Sequence, residues 1–156
     1  MPVSLITPAS LGGVPAFSVY MSANQIPSNS VVTKCALDTK VIDTANCFNT
    51  STYRFTPNVA GYYFISGAVA GYSTGTSLTA AVTLIYKNGA IVAGAQINGT
   101  SNDLVLQPSI SQIVYLNGST DYVELYGLVT ASASSQLFIG TTQQYTTMTG
   151  CLVRAA

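Results

Sequence analysis

From Phe17 onward the chain is written in short β-forming runs, and this rhythm constrains its fold more than any other feature. Val, Ile, Thr and Tyr dominate, and Gly, Asn, Ser and Pro interrupt them at short intervals. The plainest instance is Asn88-Gly89, set between the runs Leu78–Lys87 and Ala90–Asn98. Asn-Gly readily takes positive φ at both central positions of a type I′ turn, so a two-residue β-hairpin is expected there. Strands are also expected at residues 61–72, 109–116, 122–129 and 145–154, with a weakly alternating run at 31–37. Gly67, Ala68, Ala70 and Gly71 are interleaved in the first of these, and such small side chains predict the close approach of another backbone. Residues 98–103, 117–120 and 131–135 read as loops. No window sustains apolar residues at helical spacing between caps, so almost no helix is expected.

The 156 residues suit one domain with a real core. Residues 1–14, punctuated by Pro2, Pro8, Gly12 and Gly13, read as an extended arm feeding a domain at 15–156. A shaft or docking peptide would attach through that arm. Charged residues make up only 6%, against about a quarter in ordinary domains, while 48% are hydrophobic. Five basic and five acidic residues cancel, so no long-range field steers the chain to nucleic acid or anionic lipid. Such a surface suits a free monomer poorly. Ser, Thr and Asn supply solubility, and neighbouring subunits are expected to cover the apolar remainder, in interfaces on the order of 2,000–5,000 Å². No apolar run approaches the ~18 residues of a membrane-spanning helix. The opening Met-Pro-Val-Ser-Leu-Ile-Thr-Pro lacks a basic start and a long apolar stretch. Neither membrane insertion nor a secretory leader is expected.

The inventory of reactive groups is thin. Histidine is absent, which removes the commonest general base and transition-metal ligand. The three cysteines, Cys35, Cys47 and Cys151, lack Cys-x-x-Cys spacing, and their odd number argues against a complete disulfide framework. Cys35 and Cys151 lie among apolar residues and are expected to be buried free thiols. A Cys35–Cys47 bridge depends on the separation of their Cα atoms and stays open. No Gly-x-Ser-x-Gly elbow or phosphate-binding glycine loop occurs. The carboxylates are Asp38, Asp43, Asp103, Asp121 and Glu124. Asp121 and Glu124, three apart on an expected strand, point to opposite faces and cannot act as a pair. Neither an enzyme nor a cofactor is expected. The basic residues Lys34, Lys40, Arg54, Lys87 and Arg154 are scattered, which argues against nucleic-acid binding.

Ten tyrosines stand against no tryptophan. Tyr62, Tyr63, Tyr115, Tyr122 and Tyr126 fall on expected strands, where packing in the core or between subunits is their role. Tyr53, Tyr72 and Tyr145 lie near strand ends, where an exposed ring could stack on a sugar or touch a protein. Asn49, Asn98 and Asn117 each begin an Asn-x-Ser/Thr glycan acceptor, of consequence only in a eukaryotic secretory pathway.

Within residues 43–64, Asp43, Phe48, Phe55, Gly61 and Tyr63 have the order and spacing of a family signature. Pro15-Ala16-Phe17-Ser18-Val19-Tyr20 resembles the same family's first strand, and Lys87-Asn88-Gly89 its central hairpin. Asp121-Tyr122-Val123-Glu124-Leu125 resembles a late strand, and Thr149-Gly150-Cys151-Leu152-Val153 the closing one. The chain thus resembles the C1q/TNF-like globular head over roughly nine-tenths of its length. Leu37 and Ile65 stand where the family usually carries Phe, both apolar and comparably bulky. The resemblance implies an all-β, ten-stranded, two-sheet jelly-roll sandwich and a homotrimer. It makes Phe17, Asp43, Phe48, Phe55, Gly61, Tyr63, Gly89 and Gly150 structural.

It also implies a non-enzymatic binding or structural head. Some relatives hold calcium near the trimer apex, which makes Asp103 and Asp121 metal candidates; the alternative is that they bond their own turns. There is no collagen-like Gly-X-Y repeat. The low charge and the altered signature resemble C1q-like modules of phage virions. The leading expectation is therefore a virion-surface protein, a tail-fibre tip, head fibre or capsid decoration. Its partners would be itself, a host-surface protein or glycan, and other virion proteins through the arm. The alternatives are a secreted or spore-surface ligand of a cellular organism that binds a receptor or glycan, and a purely architectural trimerisation module.

Overall fold

A computed structural model describes residues 14–156 apart from 75–76, 101–102, 133–135 and 142. Most of the expected N-terminal arm therefore lies outside the described residues, as do parts of the loops expected at 98–103 and 131–135. Among the described residues there is no helix, and the chain forms fourteen strands. In chain order these are β1 (Ala16–Tyr20), β2 (Thr33–Lys34), β3 (Thr39–Asp43), β4 (Phe48–Asn49), β5 (Arg54–Phe55), β6 (Gly61–Ala68) and β7 (Gly71–Ser73). They continue as β8 (Leu78–Lys87), β9 (Ala90–Asn98), β10 (Val105–Leu106), β11 (Ser109–Leu116), β12 (Val123–Ala131), β13 (Gln136–Phe138) and β14 (Thr147–Ala155).

Two main antiparallel sheets carry eleven of these strands, five in one and six in the other. One has the order β11-β6-β14-β1-β3 and the other β4-β5-β12-β8-β9. First and last strands pair with each other, as Phe17 meets Gly150 and Ser18 meets Thr149. In the second sheet the short β2 lies off the main path, paired with β12. The three remaining strands, β10-β7-β13, form a small third sheet. Among the described residues the strands thus number fourteen against the ten expected, because short connecting segments also pair.

The hairpin expected at Asn88-Gly89 has φ of 51° and 82° at its two turn residues, with Lys87 paired to Ala90. Positive φ at both positions matches the right-handed twist of the strands they join. Two expectations need correction. The run at 61–72 is two strands, because Val69 and Ala70 lie between β6 in one main sheet and β7 in the small sheet. The run at 31–37 keeps only Thr33–Lys34 as strand, after which the chain turns inward and fully buries Cys35 and Leu37.

The core lies between the two main sheets. Strict alternation on β6 sends Tyr63 and Ile65 inward, while β12 sends Val123, Leu125 and Val129 to meet them. Gly67 and Gly71 sit under this layer: a Cβ at either would strike Leu125 Cδ1 at 2.5 Å or Val129 Cγ1 at 2.2 Å. The small residues of this stretch thus admit side chains from the facing sheet, and not another backbone as expected.

Candidate functional site

The signature residues collect at one place in the core. Phe17, Phe48 and Phe55 stack, with ring centroids 4.2 Å apart for Phe17–Phe55 and 5.6 Å for Phe17–Phe48. Tyr63 closes the cluster edge-on to Phe55 and donates its hydroxyl to Val59 O at 2.7 Å. Burial pushes the Tyr63 phenol up to about 12. Asp43 holds the preceding turn: its carboxylate accepts the backbone N–H groups of Cys47 at 2.8 Å and Phe48 at 3.1 Å, and the Lys40 ammonium at 2.7 Å. That grip feeds Phe48 into the ring stack. Gly61 and Gly150 sit where no side chain fits, since a Cβ would come within 2.4 Å of Arg154 O and 2.8 Å of Phe64 O respectively. These residues build the sandwich, and Phe48 also borders a polar surface cavity with Asn46, Asn49 and Arg54.

The ionisable residues separate into structural groups. Glu124 on β12 is 1% exposed and lies between Lys34 Nζ at 2.5 Å and Arg54 Nε at 2.7 Å. Arg54 in turn lies over the Tyr122 ring, 4.0 Å from its centroid. Burial alone would raise the Glu124 carboxyl, but the hydrogen bonds from Lys34 and Arg54 outweigh it and hold the group below its usual range. An ionised carboxylate bound to two cations is a poor proton donor at neutral pH. This cluster had no signal in the sequence, because its members are 20 to 90 positions apart and only strand pairing unites them. Cys35 and Cys47 are buried and unbridged, and burial pushes both thiols up. Cys151 is exposed, which corrects its expected burial: on β14 it is an outward position, next to the inward Gly150.

Asp103 and Asp121 do not come together. They lie at opposite ends of the ten-residue strand β8, since Leu78 N bonds Asp103 O and Asn88 Nδ2 donates to Asp121. At about 3.3 Å per residue that is a separation of about 30 Å. Each bonds its own turn. Asp103 accepts the N–H and hydroxyl of Thr100, which hold its carboxyl below the usual range. Asp121 accepts from Asn88, Lys87 and Asn117 N–H, with the same direction of shift. Among the described residues no three His, Cys, Asp or Glu side chains gather.

Two surfaces remain. The first is the outward face of the β11-β6-β14 sheet, where register aligns Ile113, Phe64 and Cys151 in one row, with Tyr115 and Tyr62 in the next. Phe64 is 40% exposed, Ile113 54% and Val153 57%, and the Tyr62 and Tyr115 rings meet edge-on at 5.5 Å. Beside β11, the edge strand β9 of the other main sheet exposes Ile91, Val92 and Ile97.

The second surface is a cavity of about 450 Å³ lined by Tyr72, Val105, Ile139 and Tyr145, with Asn24, Thr74 and Thr141 as polar members of the lining. Strand pairing builds it: Tyr72 is the centre of the small sheet, directly opposite Val105 on β10. Gln25 pairs with Phe138, and Asn24 Oδ1 accepts Gly140 N–H at 3.0 Å, so the segment after Tyr20 meets the one after β13. The cavity lies at the pole of the sandwich away from the Ala156–Ala60 contact and from Pro15, which bonds Leu152. Of the three tyrosines near strand ends, Tyr72 and Tyr145 share this cavity, while Tyr53 sits with φ of 55° in the turn between β4 and β5.

No family model matches the chain, and no curated protein does. Solved structures do. The globular domain of zebrafish complement 1qA shares 17% identity, covering 92% of this chain and 99% of that one at a TM-score of 0.66. Eiger TNF from S. frugiperda shares 9%, covering 92% and 95% at 0.68. Murine APRIL shares 10%, covering 89% and 98% at 0.63. Structural likeness across nearly the whole of both chains gives this protein the C1q/TNF-like fold.

Proposed function

We propose that the chain is the head of a homotrimer that binds a surface ligand and catalyses nothing. The observation that carries this is the exposed apolar row Ile113–Phe64 with Tyr62, Tyr115 and Val153, on a chain with only 6% charged residues. Such a patch on a soluble domain marks an interface. The face of one sheet and the β9 edge are different surfaces, so a copy that sets its edge on its neighbour's face forms a heterologous contact, which gives a closed ring of three when each copy is rotated by about 120°. C1q/TNF-like domains typically assemble as homotrimers and bind receptors, which supports a ring of three.

Within this reading we place the trimer on a phage virion, as a tail-fibre tip, head fibre or capsid decoration touching the host. Its low charge, and Leu37 and Ile65 in place of Phe, support that placement. A second reading, a secreted or spore-surface ligand, draws on the exposure of all three glycan-acceptor asparagines, Asn49, Asn98 and Asn117. Light scattering is expected to give the mass of three chains, and labelled protein to adhere to intact cells. A single-chain mass at dilute concentration sinks the assembly. Immunogold labelling of released particles supports the virion placement, and labelling confined to a cell surface or culture fluid supports the second reading.

A further inference from the structure

We propose that the cavity between Tyr72 and Tyr145 is a subsite for an uncharged sugar residue. This rests on the reading of the chain as a binding head and specifies the chemistry of its ligand. At about 450 Å³ the cavity falls within the roughly 300–1,000 Å³ of small-molecule sites. A pyranose ring presents an apolar C–H face and a rim of hydroxyls. The cavity offers both chemistries: two tyrosines, Val105 and Ile139 in the lining, together with the amide of Asn24 and the hydroxyls of Thr74 and Thr141.

Two polar residues of the lining can serve such a rim. Thr141 Oγ1 is buried with no hydrogen-bond partner among the described residues, an arrangement native proteins rarely keep without a use, and a rotation about χ1 brings it to a ligand. Asn24 Oδ1 is taken by Gly140 N–H, which fixes the amide, and among the described residues no acceptor takes its Nδ2 hydrogens, which a ligand can use. Among the described residues no Lys, Arg, Asp or Glu lines the cavity. A sialic or uronic acid would leave its carboxylate unpaired against apolar walls, so the site selects neutral sugars. In a trimer all three cavities face the pole away from Pro15 and Ala156. Three weak sites on one pole bind a dense glycan surface multivalently.

Saturation-transfer NMR of the full chain with D-glucose, D-galactose, D-mannose, N-acetylglucosamine, N-acetylneuraminic acid and glucuronic acid tests this. Transfer to the ring protons of at least one neutral sugar, and to neither acid, is the expected result. Tyr145→Ala, at a 44% exposed position, should weaken that binding roughly tenfold without unfolding the protein. Thr141→Val should weaken it several-fold while leaving the melting temperature unchanged or higher, because it replaces an unbonded hydroxyl by a methyl group. Absence of transfer from every neutral sugar, equal binding of the acids, or full binding by both variants overturns the proposal. Cell adhesion that persists in Tyr145→Ala overturns the subsite and leaves the binding head standing. Sugar binding without any adhesion overturns the binding head and leaves the subsite.

Discussion

Asp43 carries more of the architecture than any other single side chain. Its two oxygens hold two backbone N–H groups and one ammonium, and the turn they hold places Phe48 in the ring stack. Removing the carboxylate leaves both N–H groups without their acceptor and frees the turn, in which Asn46 already sits at positive φ of 51°. Asp43→Ala should therefore cost about 2 kcal/mol, twice an ordinary cap loss, measured as a lower urea midpoint at unchanged slope. A change below about 0.5 kcal/mol would mean that the turn holds itself. Cys151 shows the limit of residue-level reading. Its apolar neighbours suggested burial, yet strand parity turns it outward, which no single residue reveals.

Strands β2, β5 and β12 show how pairing creates electrostatics absent from the sequence. Tyr126 lies opposite Lys34 and Val123 opposite Phe55, which brings both cations onto Glu124. Because the folded carboxyl titrates below its ordinary 4.5, its stabilisation is complete above about pH 4.5 and is lost as pH falls through the lowered value. Denaturation midpoints should thus drop as pH falls below about 4.5 and on through the lowered value. Glu124→Gln should lose about 2 kcal/mol at neutral pH and show a shallower acid slope. That lies below the 3–5 kcal/mol of a fully buried pair, because Lys34 and Arg54 stay 25% and 40% exposed. An acid slope unchanged by the substitution would assign the pH dependence to other carboxylates.

For the whole molecule, the exposed row on the β11-β6-β14 sheet is the feature that a single chain leaves unused. A charge placed there should act on assembly and spare the fold, because Phe64 points away from the core while Tyr63 and Ile65 point into it. Phe64→Asp is expected to shift the mass from three chains to one while the far-ultraviolet dichroism stays that of a β protein. A variant that unfolds instead would assign Phe64 a role in the sandwich itself. The two poles also differ: one gathers Pro15 and Ala156, the other the cavity, so a head anchored by its chain ends presents the cavity outward.

Much of this was legible in the residues. Turn chemistry at Asn88-Gly89 set one hairpin, the β-forming run at 109–116 set another strand, and the resemblance carried by Asp43, Phe48, Phe55, Gly61 and Tyr63 implied the sandwich they help build. These signals are local or depend on a period of two, which a sequence displays directly. What the tertiary structure decided depends on register between distant strands. It split the run at 61–72 between two sheets, separated Asp103 from Asp121, and joined Tyr72 to Tyr145 around one cavity. A shift of one residue in any of these pairings would exchange the buried and exposed faces, and only the packing of the two sheets against each other fixes that choice.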